Sequence, residues 1–349
     1  MTNREASSTE QGREPASDPS QQSEAPDRES IIERLMPDVE ALERWREAER
    51  KRLIVRYAVG VASALVLALI IGIIVGYLAL LTIVLLPAAV IVLLLVSRQQ
   101  KRWRVRVGAR LVPAICEALG DPVEYQARAD QSLARPFVEL EMIKRWNRGG
   151  LTHQVHGKRG GRRFQMAFAD LRLRTGGKNS SEERVFNGLL FRIQTALDIQ
   201  PGLIVRPNGG ELFKFFSRRS VATGNAAFDE KFLVGPDDGT DLGEAGINQL
   251  FPPEWQASVL ALHESLGENA LGGVRFQLAL KYDSVYLTLP LDDGVKRIGA
   301  LKSVGLRQFP DVNHLIIGGR PLSERLPALI DDVASYRKII DALPAMPTD

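Results

Sequence analysis

His153 and His156 lie three residues apart, a spacing that on a helix would turn two imidazoles toward one metal ion. Their flanks, Gly149-Gly150-Leu151-Thr152 and Gly157-Lys158-Arg159-Gly160-Gly161, read instead as loop or short strand, and no third ligand accompanies them. The loop Asp237-Asp238-Gly239-Thr240-Asp241 offers oxygen ligands for calcium. It lacks both the alternating spacing and the distal glutamate of a twelve-residue calcium loop. Gly176-Gly177-Lys178-Asn179 lacks the earlier glycine and the following hydroxyl residue of a phosphate loop. A nucleophile elbow of the G-x-S-x-G form does not occur. His263 and His314 stand alone, as core or surface histidines do. No cofactor and no metal is expected, and no residue is assigned a catalytic role.

What remains is charge. Lys158, Arg159, Arg162 and Arg163 surround Gly160-Gly161, with Arg145 and Arg148 upstream. Such a cluster suits anionic lipid headgroups or phosphates, and it serves equally as a solvated hairpin turn with no partner. Aromatic residues for base stacking are sparse nearby, Trp146 and Phe164 excepted, so nucleic acid is an unlikely partner on this reading. A second basic group, Arg98, Lys101, Arg102 and Arg104, is assigned the same lipid or phosphate contact.

These groups must be positioned by the elements around them. Tyr57 to Val96 is apolar throughout, without one charged side chain, between Arg56 and Arg98. A bilayer core takes about 20 apolar residues as a helix, and the run is about twice that long. The expectation is a transmembrane hairpin turning at Gly76 and Tyr77. Arg46, Arg50, Lys51, Arg52 and Arg56 on one side, and Arg98 to Arg110 on the other, place both flanks in the cytoplasm. Gly60, Ala64 and Ala68 line up at four-residue intervals, as do Gly72 and Gly76, and Gly60, Ala64, Gly72 and Gly76 are read as helix-packing positions. Without ionisable groups in the spans, the hairpin reads as an anchor rather than a transport path.

The 349 residues carry a net charge of +3 and one cysteine, Cys116, which leaves no intrachain disulfide. Residues 1–29, rich in Ser, Glu, Gln and Pro, read as a disordered tail. Residues 30–56 read as a juxtamembrane helix, with Val39, Leu42 and Trp45 at helical spacing. Ile31, Ile32, Leu35 and Met36 before Pro37 form an apolar patch for docking on a membrane or on the globular domain. Residues 57–76 and 77–97 are the expected spans. Residues 98–121 repeat apolar side chains every four positions at Trp103, Val107, Leu111, Ile115 and Leu119. This helix should pair with the preceding one as a stalk, kinked at Pro113.

Residues 122–349 read as an α+β domain. Arg163 to Arg174 alternates as a strand with a register change near Leu171. Phe186 to Thr195 and Gly202 to Arg206 read as two further strands, and Ala227 to Val234 as an extended piece. Pro252-Pro253 restarts a helix that carries Trp255, Val259 and Leu262. Arg275 to Leu289 reads as a hairpin turning at Tyr282-Asp283-Ser284, and Pro321 to Leu343 as a closing amphipathic helix.

The motifs VFNGLLFRI and FDEKFLV after a hairpin resemble a bacterial family of two-span membrane proteins known only as a domain of unknown function. The residues that carry the resemblance are Phe186, Gly188, Leu189, Phe191, Phe228, Phe232 and Val234. It implies a fold and a topology and no activity. The combined expectation is an α+β protein of the bacterial inner membrane, both termini cytoplasmic, with a transmembrane hairpin and helical stalk before a mixed-sheet domain. Its function would be non-catalytic binding, scaffolding or regulation, as a possible subunit of a membrane complex. Its partners would be anionic membrane lipids and a protein partner or second copy. The alternative is a membrane-surface hydrolase of unknown substrate.

Overall fold

The computed structural model describes residues 27–75, 90, 94, 98, 102–103, 105–176, 181–208, 220–267, 276–290 and 321–343. Helix α1 (Arg28–Val75) is 48 residues long and takes Pro37 inside it. The apolar patch before Pro37 is thus part of the helix, and Ile31 and Leu35 are buried in the core. Pro37 fits here because the two helical turns before it are held in place by that packing.

Among the described residues, no helix is long and apolar enough to cross a membrane. This overturns the two-span hairpin and the inner-membrane location derived from it. Residues 57–75 are not a separate element but the tail of α1, whose first part is charged and packs on the domain. Of the expected second span only Val90 and Leu94 fall within the described residues, and the turn at Gly76 and Tyr77 lies outside them. The α+β class of the domain stands.

The four-residue stripe that follows does form a helix. In α2 (residues 105–118, with 102–103 also helical), Trp103, Val107, Leu111 and Ile115 have no exposed surface. Trp103 stacks on Trp45 of α1 with ring centroids 5.5 Å apart and planes 4° from parallel. The Arg106 guanidinium lies 4.5 Å over the Trp45 ring, a cation–π contact that caps the stack. Arg110 and Asp38 close the pair across the two helices at 2.8 Å. The two helices pair as expected, but they do not stand off as a stalk. Their buried residues belong to the same cluster as the sheet.

That sheet is antiparallel, with six strands among the described residues. The strands are β1 (Val123–Arg128), β2 (Arg148–Arg159), β3 (Arg162–Arg174), β4 (Glu182–Pro207), β5 (Phe232–Pro236) and β6 (Gln277–Pro290). The first four are neighbours in chain order. β6 lies along the other edge of β4, and β5 follows β3 along the first edge, at Leu203 to Pro207. β4 is one strand of 26 residues where the sequence suggested two. Pro201 lies between the two expected strands, yet β6 pairs with β4 on both sides of it, at Gln194↔Ser284 and Leu203↔Leu280. β6 is likewise one strand rather than a hairpin: its turn-like residues are absorbed at Tyr282, which takes φ 53° within the strand. The register change expected near Leu171 is present between Leu171 and Arg172.

Three short helices and one long one complete the domain: α3 (Arg135–Glu139), α4 (Ala226–Lys231), α5 (Gly243–Leu250) and α6 (Pro253–Gly267), with α7 (Leu322–Ala342) closing the chain. Residues 226–231 are helical, not extended, because Asn225 caps the turn by accepting from Phe228 N at 3.3 Å. Phe228 and Phe232 then lie one turn apart and stack at 5.1 Å. Of the residues that carried the family resemblance, Leu189, Phe191, Phe228, Phe232 and Val234 are core. Gly188 is there for space, since a Cβ would overlap the Leu289 carbonyl of β6.

Alternation along the strands sorts the side chains into two faces. Phe164 and Met166 of β3, Leu189, Phe191 and Ile193 of β4, and Val285 and Leu287 of β6 join the large cluster under α1, α2, α6 and α7. Ala167 and Ala169 of β3, with Leu190 of β4, point the other way. There a single segment, residues 129–143 with α3 in it, supplies the cover. Gln131 binds that segment to β2, accepting from Leu151 N at 2.9 Å and donating to Leu151 O at 3.2 Å. Arg206 holds its far end through Glu141 O at 3.1 Å.

Candidate functional site

The segment 129–143 does not cover the whole of the second face. Continuing the alternation past Ala167 gives Gln165 and Arg163 on β3. Past Leu190 it gives Arg192 and Gln194 on β4. Register places Gln165 opposite Arg192, Arg192 opposite Tyr286, and Gln194 opposite Ser284. On the other side Gln165 faces His156, and His156 faces Glu124. A polar row thus runs across five strands, Glu124–His156–Gln165–Arg192–Tyr286. Beside it a hollow of about 270 Å³ is lined by Arg163, Phe164, Gln165, Arg192 and Gln194.

The hydrogen bonds show which groups are committed. His156 Nε2 lies 2.9 Å from Glu124 Oε2, while the buried His156 Nδ1 has no hydrogen-bond partner among the described residues. Arg192 donates through Nε to Ser284 Oγ at 3.0 Å, and its guanidinium sits 5.9 Å from the Tyr286 ring centre. Tyr286 in turn meets Phe137 of the covering segment edge-on at 5.4 Å, which marks where the cover ends. Gln194 Nε2 donates to Asp283 Oδ2 at 2.7 Å. Burial alone would raise the Asp283 carboxyl. Hydrogen bonds from Ser284 and Gln194, with Arg192 nearby, outweigh that and hold it below the usual carboxylate range. Asp283 is therefore an anion at neutral pH. Arg163 is exposed, and neither it nor the Gln165 amide has a hydrogen-bond or ion-pair partner among the described residues.

The basic cluster read from the sequence divides in two. Gly160 and Gly161 make the two-residue β2–β3 turn, with φ 55° and 76°, the left-handed pair such hairpins require. Lys158 and Arg163 face each other across it and are exposed. Arg159 and Arg162 turn back into the protein instead. Arg159 binds Asp121 at 2.5 Å through Nη1 and Asp341 at 2.6 Å through Nε. Arg162 donates to Leu343 O at 2.6 Å and Ile340 O at 3.1 Å, closing the carbonyl end of α7. These two arginines fasten α7 to the hairpin and are not presented to a lipid or phosphate surface. Arg98 and Arg102 are exposed, and Lys101 and Arg104 lie outside the described residues.

Gly60, Ala64 and Gly72 sit in α1, where nothing lies within 4 Å of the position a Gly60 side chain would take. Gly76 lies outside the described residues. His153 and His156 share β2 but not a site: a bulge separates Thr152 from Val155, and His153 Nδ1 instead meets the Tyr125 hydroxyl at 2.5 Å. Among the described residues, no group of three or more metal-ligating side chains gathers.

Gln165, Arg192 and Gln194 were not singled out from the sequence. Arg192 and Gln194 do alternate with Phe191 and Ile193, which is a signal for a polar strand face. That Gln165 joins them depends on β3–β4 register, which lies outside any local pattern.

No family model matches the chain, and no curated protein does. A search of solved structures finds the mycobacterial trehalose monomycolate transport factor A, TtfA. It is 9% identical, with 70% of this chain and 99% of that one covered, at a TM-score of 0.30. That value is too low to carry an inference about fold or function.

Proposed function

We propose that this chain is a non-catalytic binding or scaffold protein that presents the uncovered polar patch of its sheet to a protein partner. The observation that carries the reading is the contrast within one face. Where residues 129–143 lie, the face is apolar and sealed. Beyond Tyr286 it becomes a hollow lined by two guanidiniums and two amides. Guanidinium and amide groups donate hydrogen bonds and hold charge, but neither titrates near neutral pH, so the lining is suited to recognition rather than proton transfer. The opposite face of the strands that present it is core, with Phe164, Met166, Phe191 and Ile193 buried there. A rigid backbone with exposed donors favours a preorganised docking surface.

The test is site-specific photo-crosslinking in the source cells. A photoreactive residue at Gln165 or Gln194 is expected to trap one defined protein adduct, whereas the same residue at the half-buried Ser258 on α6 is not. If neither sheet position yields an adduct above the Ser258 background, the patch is not a partner surface and the reading fails.

A further inference from the structure

We infer that the hollow reads carboxylates, so that the partner presents an acidic segment to it. The inference rests on the patch being the partner surface and adds the chemistry of what it recognises. Charge in and beside the hollow does not balance. Arg163 and Arg192 contribute two positive charges to the lining, and Asp283, which bonds Gln194 and lies 3.6 Å from Arg192, returns one negative charge. Lys158, exposed opposite Arg163 in the hairpin, adds a further positive charge at the rim. Glu124, hydrogen-bonded to His156 at the end of the polar row, supplies a second carboxylate, so three cations against two carboxylates leave one net positive charge.

Geometry also favours a planar anion. Arg192 is steadied at Nε by Ser284 and lies against the Tyr286 ring, so its orientation is fixed before any ligand arrives. Among the described residues its Nη1 has no acceptor, and its Nη2 has only a long approach to Asp283 at 3.6 Å. With Nη1 unbonded and Nη2 beyond hydrogen-bond distance of Asp283, the guanidinium can still fork onto the two oxygens of an incoming carboxylate, in competition with Asp283 for Nη2. Gln165, on the adjacent strand directly opposite Arg192, supplies an amide donor within the same hollow. Arg163 is the second cation. At about 270 Å³ the hollow admits a side-chain carboxylate and its neighbouring backbone rather than a folded domain, which suits an extended acidic stretch laid across the strands.

The experiment titrates the full purified chain with a fluorescein-labelled hexaglutamate peptide, read by fluorescence anisotropy, with a hexaglutamine peptide as control. The expected result is binding of hexaglutamate only. Arg163→Gln should weaken it severalfold, and Arg163→Gln with Arg192→Gln by about tenfold or more, the effect of one lost charge-assisted pair. Arg135→Gln with Arg145→Gln, which neutralises an equal charge at a separate hollow beside the covering segment, should leave it unchanged. Because Arg192 also bonds Ser284, the single Arg163 variant carries the conclusion if the double variant unfolds.

Equal weakening by the Arg135 and Arg145 pair would show general charge attraction and overturn the inference. So would binding of inorganic phosphate, displaced by these substitutions, with no binding of hexaglutamate. If hexaglutamate fails to bind while Gln165 still crosslinks a partner, the carboxylate inference falls and the binding-surface reading stands.

Discussion

Replacing Arg159 by glutamine separates an internal tie from a surface contact. The Arg159 side chain is 18% exposed, and its Asp121 partner, at 2.5 Å, is 11% exposed. Its other partner, Asp341, is 47% exposed. A hydrogen bond to a charged group out of solvent contributes about 1.5–3 kcal/mol. The solvated Asp341 arm contributes less than about 1 kcal/mol. Asp121 is not left bare in the variant, because Arg337 stands 2.7 Å away, though without hydrogen-bond alignment. The expected loss is therefore about 2–3 kcal/mol, below the larger penalty of stranding a buried charge. Urea unfolding of the full chain measures it. Double-mutant cycles should give a coupling of about 1.5–3 kcal/mol with Asp121→Asn and under about 1 kcal/mol with Asp341→Asn. A variant within about 0.5 kcal/mol of the parent, the usual range for a surface substitution, would refute the tie between the β2–β3 hairpin and α7.

Three further outcomes follow from the same contacts. Gly188→Ala sets a Cβ against the Leu289 backbone, which cannot swing aside, so a loss of about 1–3 kcal/mol or more is expected in the same unfolding assay. Cys116 is buried, and its thiol is pushed up to about 12, by burial first and then by the Asp121 charge. It should resist Ellman's reagent at pH 8 in the native chain and react once denaturant unfolds it. His263 lies against the Phe232 and Phe276 rings, and burial, with Lys231 nearby, lowers its pKa in the folded chain. The unfolded chain then binds the proton more readily. The stability His263 contributes should be present above about pH 6.5 and be lost as pH falls from there toward its folded value. His263→Phe should flatten that slope.

Much of the architecture was legible where local periodicity and burial coincide. The four-residue stripe from Trp103 to Leu119, the helix restart at Pro252-Pro253 and the register change at Leu171 all follow from side-chain spacing that the core then uses. Two of the misreadings share one cause, since long-range pairing overrides local turn signals. Pro201-Gly202 and Tyr282-Asp283-Ser284 look like breaks, yet β4 and β6 support each other across them and remain single strands. Phe228 and Phe232 were read as an extended alternation, but their four-residue spacing is also a helical turn, and the Asn225 cap selects it. The apolar run after Arg56 suggests two spans by its lack of charge. Its first part instead continues α1, and no helix among the described residues meets the requirement for crossing a membrane. The basic cluster was legible as charge but not as destination. Only the placement of α7 reveals that Arg159 and Arg162 point inward while Arg163 remains available.

The most direct measurement of the central claim is phenylglyoxal labelling of arginines, quantified by mass spectrometry, in freshly opened source cells and in the purified chain. Arg163 and Arg135 are both exposed and report on the patch and on a site away from it. An occupied patch predicts that Arg163 is protected in the cells relative to Arg135, and that the protection disappears on purification in high salt, as charge-assisted contacts are screened. Equal labelling of the two arginines in both states would contradict the claim that the uncovered sheet face is where this protein binds its partner.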